Sequence, residues 1–288
     1  MKLFSMRNIL VPTDFSADSA KAAMFAADIA RLCGATLHIM NAMGLGFEGV
    51  HEPFPLHEKY NKAVLQSRQL DMDAFVGELA PQLAGVRIET DIESAEDVNA
   101  IVDVAFLRQV DLIVMGARGA GKIKEKLVGT TTSKVITRST VPVLVVPAEY
   151  QVEMPDGILL ATSNFEQNQE LLKVVIALAR IFNATVHVIH FIDTDEMMDG
   201  QFESEKQKLE TYLGYLESTY RDIRFMTEVI RGNEFESSIN DYHMAHKTDI
   251  VAMIKYLKGF WEKLFNKSIT KKMIFHSDMP VLVIPAES

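Results

Sequence analysis

The amino-acid sequence predicts an α/β fold in which two doubly wound parallel sheets follow one another along the chain. Short apolar runs alternate with longer amphipathic stretches, which is the pattern of strands and helices taken in turn. Runs such as LIVM at 112–115 and VLVV at 143–146 are apolar on both faces, as central strands of a parallel sheet are. The elements also occur twice in the same order, so each half of the chain predicts one sheet.

The elements of the first half are expected in the following order. Ser16 is a typical helix N-cap and Gly34 a typical helix end, so a first helix is expected over 17–32. Further helices are expected over 59–83, from after Ser94 to about Arg108, and over 131–138. The expected strands are Asn8–Val11, Thr36–Met40, Val86–Thr90, Leu112–Met115 and Val143–Val146. Because strands and helices alternate, right-handed crossovers place helices on both faces of the sheet.

The repeat divides the chain into two domains. VPVLVVPAE at 141–149 returns as MPVLVIPAE at 279–287, and DLIVM returns as DIVAM at the same offset of 138 positions. Between the halves, QVEMPDG carries a proline and a turn-forming Asp-Gly pair. The expected domains are therefore 1–150 and 151–288. Pairing the last strand of each half would remove a sheet edge that is prone to aggregation.

Charge and composition exclude several classes of protein. The net charge of −10 argues against binding along a nucleic-acid backbone, which needs a basic surface. Cys33 is the single cysteine, so an internal disulfide is impossible, as suits a reducing compartment. The first residues do not form a signal peptide, and no apolar run approaches the roughly 20 residues of a membrane span. We expect a cytoplasmic protein with no nucleic-acid and no membrane partner.

Candidate binding residues follow the first strand, because ligands of parallel sheets bind beyond the carboxyl ends of the strands. Pro12, Thr13 and Asp14 stand there. A carboxylate at this place accepts hydrogen bonds from a ribose hydroxyl or a base amino group. Threonine and aspartate are also favoured where a helix starts, so a capping role stays an alternative.

Glycines and hydroxyl residues follow the fourth strand. The residues are Gly116, Gly119, Gly129, Thr130, Thr131 and Thr132. Glycine lets the backbone come close to a ligand, and a helix N-terminus with hydroxyl groups offers donors to phosphates. An ordinary βα loop with a threonine cap is the alternative. GARGAGK also begins like a P-loop, but Ile123 stands where Ser or Thr would hold magnesium.

This pattern resembles that of nucleotide-binding universal stress proteins, which carry G-x2-G-x9-G-[S/T] after the fourth strand. Gly116, Gly119, Gly129 and Thr130 fit every spacing. The family also carries an aspartate after the first strand, in a phrase much like ILVPTDFS, and this matches Asp14. The resemblance covers essentially the whole chain. It implies two Rossmann-like domains, each a five-stranded parallel sheet flanked by helices, related by pseudo-two-fold symmetry. Because dimers of this family pair through their last strands, the resemblance also implies an intramolecular pseudo-dimer joined at the last strand of each half.

The resemblance implies ATP, ADP or AMP as a ligand of the first domain, with or without Mg²⁺. Residues bordering the nucleoside would be Pro12, Thr13, Asp14, Ile39, Met115 and Gly116, with Ile39 packed on the base. Residues around the phosphates would be Gly119, Gly129, Thr130, Thr131 and Thr132, with Arg118 within reach of a phosphate.

The second half departs from this pattern. The counterparts of Gly116, Gly119, Gly129 and Asp14 are Ile254, Leu257, Asn266 and Asn164. Because side chains at these positions block close backbone approach, we predict no nucleotide in the second half. The segment 255–267 interleaves aromatic residues with lysines. We interpret its aromatic residues as filling the vacated cavity or the domain interface, and its lysines as solvated; a nucleic-acid or membrane surface is the alternative.

The leading functional hypothesis is a stress-response regulatory protein that binds a nucleotide in its first domain and acts through an unknown protein partner. A slow ATPase or phosphotransferase, and a partner-binding scaffold without nucleotide, are the alternatives. Phosphoryl transfer needs magnesium ligands and a positioned base. No such base is evident, so we assign no catalytic and no metal-binding residue. His243 and His246 are spaced one residue short of a helical zinc pair. A further homodimer is left open.

Overall fold

The computed structural model describes residues 4–43, 54–95, 97–118, 129–151, 154–195, 198, 200–255 and 278–286. The strands of the first half are β1 (Asn8–Pro12), β2 (Thr36–Ala42), β3 (Arg87–Glu93), β4 (Leu112–Gly116) and β5 (Val143–Val146). Its helices are α1 (Ala17–Cys33), α2 (Phe54–Glu78), α3 (Ala80–Leu83), α4 (Asp97–Leu107) and α5 (Thr130–Arg138). The expected strands and helices of the first half are present with ends that shift by a few residues, apart from the single helix expected over 59–83.

The second half repeats this order as far as it is described. Its strands are β6 (Gly157–Ala161), β7 (Thr185–Asp193), β8 (Phe225–Gly232), β9 (Ile250–Lys255) and β10 (Val281–Pro285). Its helices are α6 (Gln169–Phe182), α7 (Gln201–Thr219) and α8 (Phe235–His246). The strands of the described residues form one sheet in the order β3-β2-β1-β4-β5-β10-β9-β6-β7-β8. Each half thus contributes five strands with the same relative order, as expected.

The two halves meet through their last strands. Neighbouring strands within each half are parallel, whereas β5 and β10 are antiparallel, with Leu144 opposite Leu282. The expected contact between these strands is confirmed. It joins the two predicted sheets into one continuous sheet, and the antiparallel pair is where the direction of the strands reverses.

Helices cover both faces of this sheet. One face packs its core against α1, α2, α6 and α7, and the other packs against α4, α5 and α8. On the first face, Phe25 of α1 and Phe182 of α6 stack at 6.2 Å between ring centroids, so the halves also meet through helices. Among the described helices, none has the length and apolarity needed to cross a membrane.

Local sequence signals explain where the helices begin and end. Ser16 accepts a hydrogen bond from the Ser19 amide at 3.3 Å, and Gly34 ends α1 with a φ of 73°. Both expected ends of α1 are confirmed. The single helix expected over 59–83 is wrong, because α2 ends at Glu78 and α3 begins at Ala80. Pro81, in the first turn of α3, has no N–H with which to continue a longer helix.

Candidate functional site

The candidate site lies where the strand order reverses. β1 stands between β2 and β4, so the chain leaves β1 toward one side of the sheet and returns through β4 on the other. The segments that follow β1 and β4 therefore diverge from adjacent carboxyl ends. Such switch points are where ligands bind in doubly wound sheets. The second half has the same arrangement at β6, between β7 and β9.

The turn between β1 and α1 is held by Thr13. Its amide donates to the Met40 carbonyl at 2.8 Å, and its hydroxyl lies 2.8 Å from the Ser19 hydroxyl. The hydroxyl also accepts from the amide of Phe15, which has a φ of 63°. Asp14 is exposed at the tip of this turn and accepts from the Ser16 amide at 3.1 Å. The alternative role of Asp14 at the helix start therefore has a structural basis, and the carboxylate is still at the surface.

Gly116 lies against the first turn of α1. A Cβ placed on it would stand 2.8 Å from the carbonyl carbon of Asp18 and 2.9 Å from the carbonyl oxygen. Real Cβ atoms do not come this close to backbone atoms. The packing of α1 against β4 is therefore enough by itself to require glycine at position 116. The sequence pattern indicated close approach of a ligand, and the structure adds this second reason.

Helix α5 begins beside the same strand end. Gly129 donates its amide to the Ala117 carbonyl at 2.8 Å, and the buried Thr132 hydroxyl donates to the Gly116 carbonyl at 3.1 Å. Thr130 is exposed and Thr131 is half-buried. The first amides of a helix have no partner within the helix, and the helix dipole makes that end positive. The N-termini of α1 and α5 thus both lie at the end of β4.

Arg118 is placed between two carboxylates. Its guanidinium donates to Asp18 at 3.3 Å and to Glu149 at 2.8 Å. Burial alone would lower the pKa of Arg118, but the hydrogen bonds to Glu149 and Asp18 outweigh it and raise the pKa. The side chain is 30% exposed and Glu149 is 51% exposed, and exposed ion pairs of this kind contribute little to stability. Sequence reasoning missed Asp18 and Glu149, because neither belongs to the glycine pattern.

Three of the residues assigned to the nucleoside lie below the surface. Pro12 is buried, Ile39 is 0% exposed and Met115 is 5% exposed. A base bound at the switch point would therefore contact the strand backbone, which lies between it and the Ile39 side chain. Gly119 lies outside the described residues.

Asn41, at the carboxyl end of β2, is a site residue that sequence reasoning missed. Its amide nitrogen donates to the Thr13 carbonyl at 2.7 Å and so ties β2 to the turn after β1. The side chain is buried, and its Oδ1 has no hydrogen-bond partner among the described residues. His190 makes the matching contact in the second half, with Nδ1 3.0 Å from the Thr162 carbonyl. A polar residue ending an apolar strand was the available signal.

In the second half, a large side chain stands where the first half has the glycine that ends β4. Ile254, the counterpart of Gly116, is 4% exposed in β9. Asn164 is exposed in a turn where Phe165 has a φ of 49°, much as Phe15 does in the first half. Leu257 and Asn266 lie outside the described residues.

The position of Lys255 in the structure contradicts one expectation from the sequence. The lysines of 255–267 were expected to be solvated, but Lys255 is 7% exposed. Its amino group donates to the carbonyls of Ile136 at 2.9 Å and Thr137 at 2.6 Å. The physical reason is that α5 of the first half ends beside β9 and presents unpaired carbonyls there. The rest of that segment lies outside the described residues.

His243 and His246 make separate contacts at the end of α8. His243 contacts the Thr248 carbonyl through Nδ1, and the His246 ring stacks on Tyr242 at 4.1 Å. Within the ranges that the structure describes, no group of three histidine, cysteine or acidic side chains is placed to hold a metal ion. The two imidazoles are thus engaged in local packing.

Comparison with known proteins relates both halves to one family. The model of the universal stress protein family matches residues 6–147 and 154–285. A curated universal stress protein from Thermus aquaticus is 32% identical over 143 residues, which are 49% of this chain and 98% of the relative. A solved universal stress protein from Archaeoglobus fulgidus DSM 4304 is 18% identical, with a TM-score of 0.65 over 99% of this chain and 98% of its own. A solved universal stress protein in complex with cAMP is 24% identical, with a TM-score of 0.37 over 50% of this chain and 99% of its own.

Proposed function

Because this chain belongs to the universal stress protein family, with one such domain in each half, we propose that its first domain binds ATP, ADP or AMP. In this proposal the second domain binds no nucleotide, and the bound state is read by a protein partner. The observation that carries the proposal is that the N-termini of α1 and α5 both lie at the end of β4. We also propose 1–150 and 151–288 as the limits of the two domains.

The start of α5 supports phosphate binding. Gly129 has no side chain to cover the first turn, and Thr130 and Thr131 reach the surface there. Unpaired amides, hydroxyl groups and the positive end of a helix dipole together favour an anion. Arg118 can join such an anion at little cost, because its two ion pairs are partly exposed.

The turn after β1 supports binding of the nucleoside end. The exposed carboxylate of Asp14 is an acceptor for the two hydroxyl groups of a ribose. A carboxylate repels phosphates, so the sugar is expected over β1 and the phosphates over β4 and α5. This orientation uses the residues on both sides of the switch point.

The arrangement favours binding over fast catalysis. Phosphoryl transfer needs magnesium ligands, a positioned base and a charge clamp. Asp18 and Glu149, the carboxylates that contact Arg118, are both paired with it. We therefore propose at most slow hydrolysis. A fast Mg²⁺-dependent turnover that Asp14→Ala abolishes would contradict this part of the proposal.

Thermal unfolding with and without millimolar ATP and Mg²⁺ tests the proposal. A ligand that binds only the folded state stabilises it by about 2.7 kcal/mol at a hundredfold excess over its dissociation constant. Gly129→Trp should remove the shift in melting temperature, because an indole would cover the start of α5. The φ of −57° at Gly129 suits any residue, so the backbone can accept the change.

Asn164→Trp is the matched control, because it places the same side chain on the exposed turn of the second domain. The wild type and this control should show the shift, and Gly129→Trp should not. If ATP, ADP and AMP all leave the wild-type melting temperature unchanged, the proposal is wrong.

A further inference from the structure

A buried lysine of the second domain donates hydrogen bonds to the C-terminal turn of a helix of the first domain. Lys255, the last residue of β9, lies more than a hundred positions along the chain from the carbonyls of Ile136 and Thr137 that its amino group meets. Both carbonyls belong to the last turn of α5. The antiparallel pairing of β5 with β10 brings the end of β9 to this place.

The contact completes the hydrogen bonding of a short helix. The last four carbonyls of any helix lack partners within it. In α5 the Ser139 amide donates to the Val135 carbonyl. The Lys255 amino group donates to the next two carbonyls. With 9 residues, α5 is far shorter than a helix that is stable by itself. Its formation therefore depends on contacts such as this one.

The same helix carries the donors of the proposed phosphate site at its other end. At about 1.5 Å per residue, the two ends of α5 are only about 13 Å apart. A cation at the C-terminus and an anion at the N-terminus both interact favourably with the helix dipole. A change at the Lys255 end that frays the helix will therefore also disturb the amides at the Gly129 end.

The lysine has no counterpart in the first half. Ala117 stands in the first half where Lys255 stands in the second, 138 positions later. Alanine has no side-chain donor, so its side chain cannot donate to the carbonyls of a helix end. Burial lowers the pKa of Lys255, which means that the ammonium is held here against a desolvation cost.

We propose that Lys255 is a positioning residue through which the second domain holds α5 in the form that binds phosphate. This inference rests on the proposed function, because it concerns the nucleotide site of the first domain. The second domain, without a nucleotide site of its own, then regulates affinity at the site that remains. A change that withdraws Lys255 from α5 weakens nucleotide binding at the first domain.

Calorimetric titration with ATP and Mg²⁺ tests this on four full-length chains: the wild type, Lys255→Met, Lys255→Arg and Ile254→Ala. Lys255→Met should weaken ATP binding by about fivefold, the lower range of typical coupling between sites. Lys255→Arg keeps the charge and the donors and should restore part of the affinity. Ile254→Ala is the matched control, because it destabilises the same strand from the opposite face of the sheet, away from α5.

If Lys255→Met binds ATP as tightly as the wild type, or if Ile254→Ala weakens binding equally, the inference is wrong. A second measurement separates it from the proposed function. Without nucleotide, Lys255→Met should speed hydrogen exchange at the Thr137, Arg138 and Ser139 amides roughly fivefold more than Ile254→Ala does, because the last turn frays. A wild type that fails to bind ATP contradicts the proposed function, whereas unchanged exchange contradicts the role of Lys255.

Discussion

Gly116 and Ile254 stand at equivalent positions in the two halves of one sheet, but the room for a side chain differs between the two positions. Gly116 has the first turn of α1 within 2.8 Å of where a Cβ would stand, whereas Ile254 is a large side chain that is 4% exposed. The strand order around both positions is the same. The comparison teaches that this position of the sheet accepts either a glycine or a buried isoleucine with the same strand order around it.

The turns after the first strand of each half show how much of the scaffold is retained. Thr13 and Thr162 each donate their amide to the neighbouring strand, and each hydroxyl accepts from the amide of a following phenylalanine. Phe15 and Phe165 both have a positive φ. Phe15 lies two residues after Thr13 and Phe165 three residues after Thr162, so the second turn is one residue longer. The side chains that differ between the halves can be tested by substitution.

Ile254→Ala should have the largest effect on stability. Removing most of a buried isoleucine leaves a cavity, and such changes cost about 2–5 kcal/mol of unfolding free energy. Urea unfolding measures the loss. The variant should gain no nucleotide binding, because Leu257, Asn266 and Asn164 still differ from the glycine pattern. A loss below about 1 kcal/mol would contradict tight packing around the Ile254 side chain.

Gly116→Ala should have the next largest effect. The added methyl group would displace the first turn of α1, and overpacking of this kind costs about 1–3 kcal/mol. Urea unfolding of the variant measures this loss as well. If α1 yields without cost, the change should instead stabilise the chain by about 0.4–1 kcal/mol, as Gly→Ala does at unstrained sites. That result would remove the packing role assigned to Gly116.

Asp14→Ala should act on ligand affinity more than on stability. A hydrogen bond to a charged group contributes about 1.5–3 kcal/mol, so the affinity for AMP should fall by about tenfold or more. Asn164→Ala changes the matching turn of the second domain and should leave the affinity unchanged. Calorimetric titration of both variants measures the difference, and equal effects would contradict the asymmetry between the halves.

The smallest expected effect is a change in how the unfolding free energy depends on pH. His38 and His187 stand at matching positions of β2 and β7, and burial lowers the pKa of each below 6.5. The neighbouring Glu89 partly opposes this for His38, whereas His246 adds to it for His187. Between the lowered pKa and 6.5, the unfolded chain binds more protons, so stability is lost as the pH falls through this window.

The substitutions His187→Gln and His38→Gln test this prediction. Each removes one titrating group, so each should flatten the loss of stability on the acid side. Melting temperatures between pH 7 and pH 5 measure the slope. If neither substitution changes the slope, the lowered pKa of these histidines does not contribute to it.

Much of the fold was predictable because its signals are local. Apolar runs, the Ser16 cap and the Gly34 end predicted the elements of the first half to within a few residues. The resemblance to the family's dimers, together with the need to cover sheet edges, predicted the junction between β5 and β10. The break between α2 and α3 was missed, because the amphipathic helical pattern continues across it and a single proline, Pro81, is a weak signal.

The candidate site was predictable only where its residues form a pattern along the chain. The glycines and threonines around 116–132 could be found from their spacing. The pairing of Arg118 with Asp18 and Glu149 depends on segments far apart in sequence, and so does the burial of Lys255 against α5. Contacts of this kind arise from the packing of the sheet, and no local sequence pattern predicts them.

The most direct test of the central claim is the number of nucleotides bound per chain. Calorimetric titration of the wild type with ATP and Mg²⁺ should give one site per chain, and Gly129→Trp should give none. Two sites per chain would contradict the loss of binding in the second domain. No site in the wild type would contradict binding in the first.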